Sequence, residues 1–424
     1  MRRFPLHYGW VVAAVTFTVL MAAAGIRATP GVLIVPLEQA LGWSRATISL
    51  AISINLLLYG LAGPFCAAIA QRFGIRRTMA GAMALLAAAL ALATHISRPW
   101  ELVLVWGFLV GAGTGMTATV MGAVVVNRWF SRSRGAVLGA LTAATATGQL
   151  VFLPILARLV ERRGWHAPLW LMAAAAGLAV PLVLVLIRER PADVGLLPFG
   201  ATRAEVLGPS AGPTSSAQVA LDTLRRSARS REFWLLAGTF FVCGASTNGL
   251  IGTHLIPACM DHGIPEVAAA GMLATMGIFD LVGTTASGWL SDRVDSRKLL
   301  FAYYGLRGLS LVLLPHALVD QQGLSVFTVF YGLDWIATVP PTVRLATDAF
   351  GRTDGPIVFG WVMAAHQVGA AMAALGAGSI RTVLGDYQLA FLSSGLLCLV
   401  AAMFSLAIGR GRAAVPSLVA EPGA

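Results

Sequence analysis

Twelve long apolar runs, separated by turns that carry charges, prolines or glycines, make up most of the sequence. With 57% hydrophobic and only 12% charged residues, the chain is too apolar to fold around a single core in water. A helix crosses a bilayer with about 20 mostly apolar residues and satisfies its own backbone hydrogen bonds there. The pattern predicts an all-α membrane protein with transmembrane spans at residues 9–35, 46–69, 79–96, 101–126, 135–159, 167–187, 233–256, 265–290, 298–318, 324–345, 356–380 and 387–408.

The basic residues are distributed unevenly between the two faces of such a bundle. An even number of spans puts both termini on one face, and the tails, turns and linker of that face contain 22 of the 30 Arg and Lys residues, against 6 on the other face. Basic residues concentrate in cytoplasmic loops. The asymmetry predicts cytoplasmic termini in the cell inner (plasma) membrane, and it accounts for the net charge of +11 without a nucleic-acid partner.

The chain divides into two similar halves. Residues 188–231 are polar and include GPSAGPTSS, which predicts a cytoplasmic linker between an N-terminal six-helix half, residues 1–187, and a C-terminal half, residues 232–424. The loop sequence AAIAQRFGIRR, residues 67–77, recurs as GWLSDRVDSRK, residues 288–298, each after the second span of its half. Repeated halves are typical of transporters that bind substrate between them near the midplane.

The second copy of this loop carries a recognisable pattern. It has Gly288, then Asp292 and Arg293, then the basic pair Arg297 and Lys298. This resembles the loop motif of the major facilitator superfamily, and the resemblance extends over essentially the whole chain. It implies the twelve-helix fold of that superfamily and a transport function.

The first copy departs from the motif, because Ala67 and Gln71 stand where glycine and aspartate are expected. An acid near a helix end can pair with basic residues across the cytoplasmic gap, so the departure weakens such a latch in the first half. The alternative is a basic turn that only sets topology. The resemblance predicts a cytoplasmic gating loop made of Gly288, Asp292, Arg293, Arg72 and Arg76.

Two further segments resemble one branch of the superfamily. The sequences NRWFSRSRGAVLG, residues 127–139, and GWVV, residues 9–12, are similar to those of the oxalate/formate antiporters and monocarboxylate carriers. Trp129 and Phe130 fit equally well as a generic aromatic anchor at the membrane interface. The branch resemblance implies a small organic anion, such as a carboxylate, as substrate.

Arg27 is a candidate substrate-binding residue. It lies in GIRATPG, past the midpoint of span 1, where an ionised side chain is costly and marks a functional site. A guanidinium binds a carboxylate through two parallel hydrogen bonds and stays charged. The alternatives are an Arg27 that reaches the outer interface or forms a structural pair.

Two acids and one arginine inside spans 8 to 10 are candidates for proton coupling or a charge relay. Asp280 matches an acid that monocarboxylate carriers have on their eighth helix, but Thr284 replaces the arginine those carriers have four residues later. Arg307 in span 9 is a candidate ion-pair partner for Asp280 or for Asp334 of span 10. Further along span 10, Pro340 and Pro341 predict a bend in the helix. A permanent structural pair is the open alternative for both acids.

His366 lies in span 11 where the oxalate/formate branch has a lysine, and a histidine there suits proton-linked binding of an anion. A buried histidine with a hydrogen-bond partner is equally consistent with the sequence. His254, near the outer end of span 7, is predicted to be interfacial. Four uncharged side chains complete the predicted substrate site, namely Asn55, Tyr59, Gln149 and Asn248. The alternative is that they form hydrogen bonds between helices.

These features predict a monomeric secondary transporter of a small organic anion that works by alternating access, coupled to protons or to exchange. No hydrolase, phosphate-loop or metal-ligand motif is present, so the sequence indicates neither an enzyme nor a cofactor. A proton-coupled exporter of drugs or other apolar solutes is the alternative function. A second alternative is a membrane receptor or assembly factor that does not transport.

Overall fold

The computed structural model of the chain describes residues 7–117, 119–201, 216–319 and 321–409, and these ranges contain twelve helical segments that can span a membrane. The predicted all-α fold with twelve spans is confirmed. Seven spans are single helices. In chain order they are Arg45–Phe73 (span 2), Ile75–Ala93 (span 3), Arg134–Arg163 (span 5), His166–Leu186 (span 6), Glu266–Ser291 (span 8), Ser296–Ala317 (span 9) and Gln388–Ser405 (span 12).

The other spans are interrupted or kinked. Span 1 contains the helices Tyr8–Ala28 and Pro30–Leu41, and span 10 begins as Gln321–Asp334. The helix Val339–Leu384 completes span 10, turns at Gly351, whose φ is +81°, and continues as span 11. Span 4 consists of Pro99–Leu102, Val103–Val110, Gly111–Met116 and Thr119–Trp129, and span 7 of Arg231–Gly244, Ala245–Ile251 and Gly252–Asp261. Val103–Val110 and Ala245–Ile251 are π-helical, a rare conformation that is frequent at functional sites.

The bundle has two faces. The terminal face contains Tyr8 at the start of span 1, Ser405 at the end of span 12, and the segment between spans 6 and 7, and the opposite face is the far face. The segment between spans 6 and 7 includes a short 3₁₀ helix, Pro191–Val194, and an amphipathic helix, Ser216–Ser227. The amphipathic helix is held against span 11, because Trp361 donates a hydrogen bond to the carbonyl of Ala220 at 2.9 Å.

Spans 1, 2 and 5 of the N-terminal half pack against spans 7, 11 and 8 of the C-terminal half. The sequence repeat is visible in this contact, since the 221 residues that separate Ala67 from Gly288 also separate Gly31 from Gly252. Those two glycines meet, and a Cβ on Gly31 would lie 3.3 Å from the carbonyl oxygen of Gly252. The absence of side chains there lets spans 1 and 7 approach closely at this point.

Glycines also set the packing inside the C-terminal half. A Cβ on Gly244 of span 7 would overlap the carbonyl oxygen of His366, and one on Gly369 of span 11 would overlap that of Phe241. Gly376, further along span 11, faces open space.

We expect Gly244→Ala to lower the free energy of unfolding by about 1–3 kcal/mol, because spans 7 and 11 must separate to admit the methyl group. The control is Gly376→Ala, which removes a helix glycine without a clash and leaves stability unchanged or slightly higher. Thermal unfolding of both variants in detergent measures the difference. Equal stability of the two variants would contradict this packing.

Candidate functional site

Arg45, the first residue of span 2, joins the two halves at the far face. Ser44 caps the helix by accepting a hydrogen bond from the amide of Thr47, which fixes Arg45 at the helix start. The guanidinium donates to both carboxylate oxygens of Asp261, at the end of span 7, at 2.7 and 2.8 Å. It donates a third bond to Glu38, at the end of span 1, at 2.8 Å. The Arg45 side chain is only 4% exposed, so solvent screens this bidentate pair weakly.

Three further side chains extend this cluster. Arg381 of span 11 donates to Asp261 at 2.7 Å, and Arg45 donates to the hydroxyl of Tyr387 at 3.1 Å. That hydroxyl contacts Nδ1 of His254 at 3.1 Å, and Nε2 of His254 contacts the carbonyl of Ala374 at 2.8 Å. His254 is fully buried, so the prediction that it is interfacial is wrong. We call the six residues the far-face latch: Glu38, Arg45, His254, Asp261, Arg381 and Tyr387.

Spans 2 and 11 close together on the same side of the bundle. The amide of Ala46 donates to the hydroxyl of Thr382 at 3.1 Å, and the hydroxyl of Ser53 donates to the carbonyl of Ala371 at 2.7 Å. Within the described ranges, the hydrogen bonds that join the two halves are these two and those of the far-face latch. All of them lie between the middle of the bundle and the far face. The halves are therefore bonded to each other at the far face.

Arg27 lies in the middle of span 1 with its guanidinium over the ring of Tyr59, 4.5 Å from the ring centroid. Both side chains are half-buried. No carboxylate pairs with Arg27 among the described residues, in contrast to Arg45. A cation–π contact stabilises the charge but leaves the hydrogen-bond donors of the guanidinium free for an anion.

The other predicted polar residues divide into two groups. Asn248 stands 221 residues after Arg27, on the π-helical segment of span 7, and each of the two lies one turn from the Gly31–Gly252 contact. Gln149 is half-buried beside Gly148, where span 5 packs against the backbone of Met21. Asn55, by contrast, is buried and donates to the carbonyl of Trp106 at 2.9 Å, so it bonds span 2 to span 4. Arg27, Tyr59, Asn248 and Gln149 therefore come from the spans that meet between the halves.

Span 10 unwinds between Asp334 and Val339, directly before Pro340 and Pro341. Asp280 of span 8 accepts a hydrogen bond from the backbone amide of Ile336, in the unwound segment, at 2.9 Å. Thr284 donates to the same carboxylate oxygen, also at 2.9 Å. Thr284, which stands where the monocarboxylate carriers have an arginine, is thus a hydrogen-bond donor to Asp280. The carboxylate of Asp280 satisfies a backbone amide that the break in span 10 leaves without a helical partner.

Arg307 completes this break. Its guanidinium pairs with Asp334 at 2.5 Å and donates to the freed carbonyls of Asp334 and Trp335 at 2.6 and 3.2 Å. The Arg307 side chain is fully buried. Of the two acids considered for Arg307, the structure pairs it with Asp334, while Asp334 Oδ1 is buried without a hydrogen-bond partner among the described residues. Backbone groups inside a membrane are tolerated in this state only when such partners satisfy them.

His366 faces span 7 within the C-terminal half, with its ring 5.0 Å from that of Phe240. Its Nδ1 is buried and has no hydrogen-bond partner in the described part of the chain. The next residue, Gln367, packs against Gly60 of span 2, next to Tyr59. Arg27 and His366 are thus near the same interface, but the structure does not bring them into contact.

The second loop copy at the terminal face is paired within its own half. Asp292 accepts from Arg344 of span 10 at 3.1 Å, and Arg293 lies over the ring of Trp289. Gly288 faces open space, so no described atom uses the room that a small residue leaves there. Hydrogen bonds from Arg297 hold the pKa of Asp295, in the turn between spans 8 and 9, below its usual range.

In the first loop copy, Arg72 lies 5.2 Å from the ring centroid of Phe73, and Arg76 starts span 3 with its amide bonded to Glu189 at 2.9 Å. The side chains of Ala67 and Gln71 lie outside the described residues. Neither copy forms a described hydrogen bond to the opposite half.

Comparison with known proteins fits this architecture. The sequence matches the Major Facilitator Superfamily over residues 15–350. The chain belongs to that superfamily. It is a membrane transporter and not an enzyme, as the names of its relatives also indicate.

The chain is similar along nearly its whole length to other superfamily members. It is 25% identical to the uncharacterized MFS-type transporter YcxA of Bacillus subtilis (strain 168), with 90% of each chain covered. It is 28% identical to monocarboxylate transporter 13 of Bos taurus, covering 92% of this chain and 87% of that one. Its fold matches the inward-facing, unoccupied crystal structure of a bacterial homolog of the human lysosomal transporter Spinster, with a TM-score of 0.75, 15% identity and coverage of 95% and 97%.

The far-face latch is the main feature of this facilitator that sequence reasoning missed. Arg45 and Asp261 are 216 residues apart and both lie at span ends, where charged residues are ordinary. One signal was present: Arg45 and Arg381 are among the few basic residues on the face predicted to be poor in them.

We expect Asp261→Asn to loosen the far face, because Arg45 and Arg381 then share fewer acceptors. Losing one partner of a buried interface pair costs about 2–5 kcal/mol. The readout is maleimide labelling of Ser49→Cys, since Ser49 is fully buried against Gly378 between spans 2 and 11. The labelling rate should rise at least about tenfold. Asp386→Asn, an exposed acid on the same face, is the matched control, and equal rates in the two backgrounds would contradict the latch.

We expect Arg307→Met to lower stability by about 3–5 kcal/mol, since it leaves Asp334 as a buried unpaired charge and frees two carbonyls. The double variant Arg307→Met/Asp334→Asn should recover the part of the stability loss that comes from the unpaired charge. Its loss of stability should therefore be smaller than the sum of the losses in Arg307→Met and Asp334→Asn. Unfolding midpoints in detergent measure this. Asp295→Asn, at an exposed pair with Arg297, should cost under about 1 kcal/mol. Additive losses would show that Arg307 and Asp334 are not coupled.

Proposed function

We propose that the protein transports a small organic anion, with a carboxylate as the substrate class, across the plasma membrane by alternating access. In this proposal the terminal face is cytoplasmic, as the excess of basic residues there favours. The anion binds between the halves to Arg27, with Asn248 and Gln149 as polar neighbours. The far-face latch is then the outer gate.

The unpaired guanidinium of Arg27 is the observation that carries this proposal. The other charged side chains within the spans at this depth, Arg307, Asp334 and Asp280, already have partners in the protein. Burying an uncompensated charge is unfavourable, and an anionic substrate supplies the missing partner. The ring of Tyr59 holds the guanidinium on one side and leaves its edge available to a planar carboxylate.

The relatives and the conformation support the same function. Several similar proteins are named monocarboxylate transporters, including monocarboxylate transporter 11 of Homo sapiens. The halves are hydrogen-bonded to each other at the far face, while the two copies of the repeated loop at the terminal face form their described contacts within their own halves. A transporter that is open to the cytoplasm has this distribution of contacts, because one side of the site must be closed while the other admits substrate.

For coupling, we propose that His366, Asp280 and Asp334 change protonation or partners as the halves move. Asp280 and Arg307–Asp334 flank the break in span 10, so a change in either pairing alters the shape of a span next to the site. Exchange with a second anion at Arg27 is the other coupling mode that fits a permanently charged guanidinium.

We expect Arg27→Gln to reduce kcat/KM for carboxylate uptake into proteoliposomes by about 10²-fold, since it removes two charge-assisted hydrogen bonds. Arg27→Lys should retain part of the activity, because a point charge remains without the fork geometry. The control is Arg158→Gln, an exposed arginine at the far end of span 5.

Saturable carboxylate uptake that survives Arg27→Ala would contradict the assigned binding site, and proton-coupled uptake that survives His366→Ala would contradict the coupling role of His366. Broad drug resistance in cells that overproduce the chain, without carboxylate uptake, would favour an exporter of apolar solutes in its place. An absence of flux for a broad panel of metabolites would favour a receptor or assembly factor.

A further inference from the structure

A basic cleft of 610 Å³ opens on the terminal face of the N-terminal half. Its walls come from spans 2, 3, 4 and 6 and the segment after span 6, so it lies to one side of the contact between the halves. Five of its lining residues are arginines, namely Arg72, Arg76, Arg77, Arg128 and Arg190. One acid, Glu189, lines it as well.

Glu189 does not balance these charges. Its carboxylate accepts hydrogen bonds from the amides of Ile75 and Arg76 at 2.7 and 2.9 Å, where it caps the start of span 3. Its contact with Arg128 is long, at 3.4 Å. Nε of Arg76 is buried and finds no acceptor among the described residues. Like charges held this close repel one another, and a bound anion relieves that repulsion.

The corresponding region of the C-terminal half has its own acid. There Asp292 pairs with Arg344. At the equivalent positions, 221 residues earlier, the N-terminal half has Gln71 in the first loop copy and Ala123 in span 4. The repeat thus keeps an internal ion pair in one half and an excess of arginine in the other. The N-terminal half therefore lacks the carboxylate that Asp292 supplies in the other half.

We propose that this cleft binds the phosphate headgroup of an anionic phospholipid. Guanidinium groups bind phosphate oxygens through paired hydrogen bonds, and five of them surround the cleft. The wall at span 6 is Leu184, which is 39% exposed in a membrane span and so faces lipid. The exposed ring of Phe73 also lines the cleft. An apolar rim beside a basic cleft suits a headgroup with attached acyl chains better than free phosphate in solution.

The test measures binding of short-chain phosphatidylglycerol and phosphatidylcholine to the full chain in detergent by native mass spectrometry. The variant Arg77→Gln/Arg190→Gln removes two exposed cleft arginines without changing a hydrogen bond that holds the fold. Since each arginine near an anionic lipid contributes a factor of about five, we expect the Kd for phosphatidylglycerol to rise about 25-fold. The control Arg225→Gln/Arg229→Gln removes the same charge from the exposed linker on the same face, and its Kd should change less than about twofold.

We also expect one tightly held phosphatidylglycerol per chain, weaker binding of phosphatidylcholine, and no displacement by excess inorganic phosphate. Equal affinity for the two lipids would overturn the proposal. An equal loss of affinity for phosphatidylglycerol in the cleft and linker variants would also overturn the proposal, because it would show that the lipid is attracted unspecifically to the terminal face. Displacement by inorganic phosphate alone would reassign the cleft to a soluble phosphate. None of these outcomes depends on which substrate Arg27 binds.

Discussion

A polar group inside hydrocarbon needs a partner, and this constraint explains most of the features described above. The broken backbone of span 10 persists because Asp280 accepts the amide of Ile336 and Arg307 donates to two carbonyls. Arg45 is stable in its buried position because two acids and a hydroxyl surround it. Arg27 is the exception, since an aromatic ring is its contact in the described protein. A site with an unmet electrostatic requirement is where a ligand gains most by binding.

The sequence was sufficient for the fold, because twelve hydrophobic runs and one repeated loop are local patterns that survive without knowledge of tertiary contacts. It also predicted a bend in span 10 at Pro340 and Pro341. The structure has the break directly before them, and the two prolines lie in the first turn of the helix that follows, where a missing amide donor costs nothing. The pairing of Arg307 with Asp334 was one of two pairings that the sequence allowed. Choosing between them required the relative positions of spans 8, 9 and 10.

The far-face latch and the basic cleft required the structure. Their residues come from distant parts of the chain, and Arg45 and Tyr387 are 342 positions apart. Local signals existed for Arg72 and Arg76 in the repeated loop and for Arg45 and Arg381 in the charge distribution, but such signals do not indicate which residues meet. The π-helical segment around Asn248 was equally hidden, because an extra residue in a helical turn leaves no compositional trace. His254 shows how an apparently peripheral position becomes fully buried once Tyr387 and span 11 pack over it.

The contact of Gly31 with Gly252 has a mechanical consequence. In the alternating access proposed above, the two backbones that touch at Gly31 and Gly252 would act as a fulcrum for the tilting of the halves. At a rise of about 1.5 Å per residue, the end of span 1 at Leu41 lies about 15 Å from this fulcrum, and its start at Tyr8 about 35 Å. The same tilt therefore moves the terminal face about twice as far as the far face. Within that proposal, Arg27 lies one turn from the fulcrum and is displaced least, so an anion bound there would keep its contacts while the two mouths of the bundle open and close by unequal amounts.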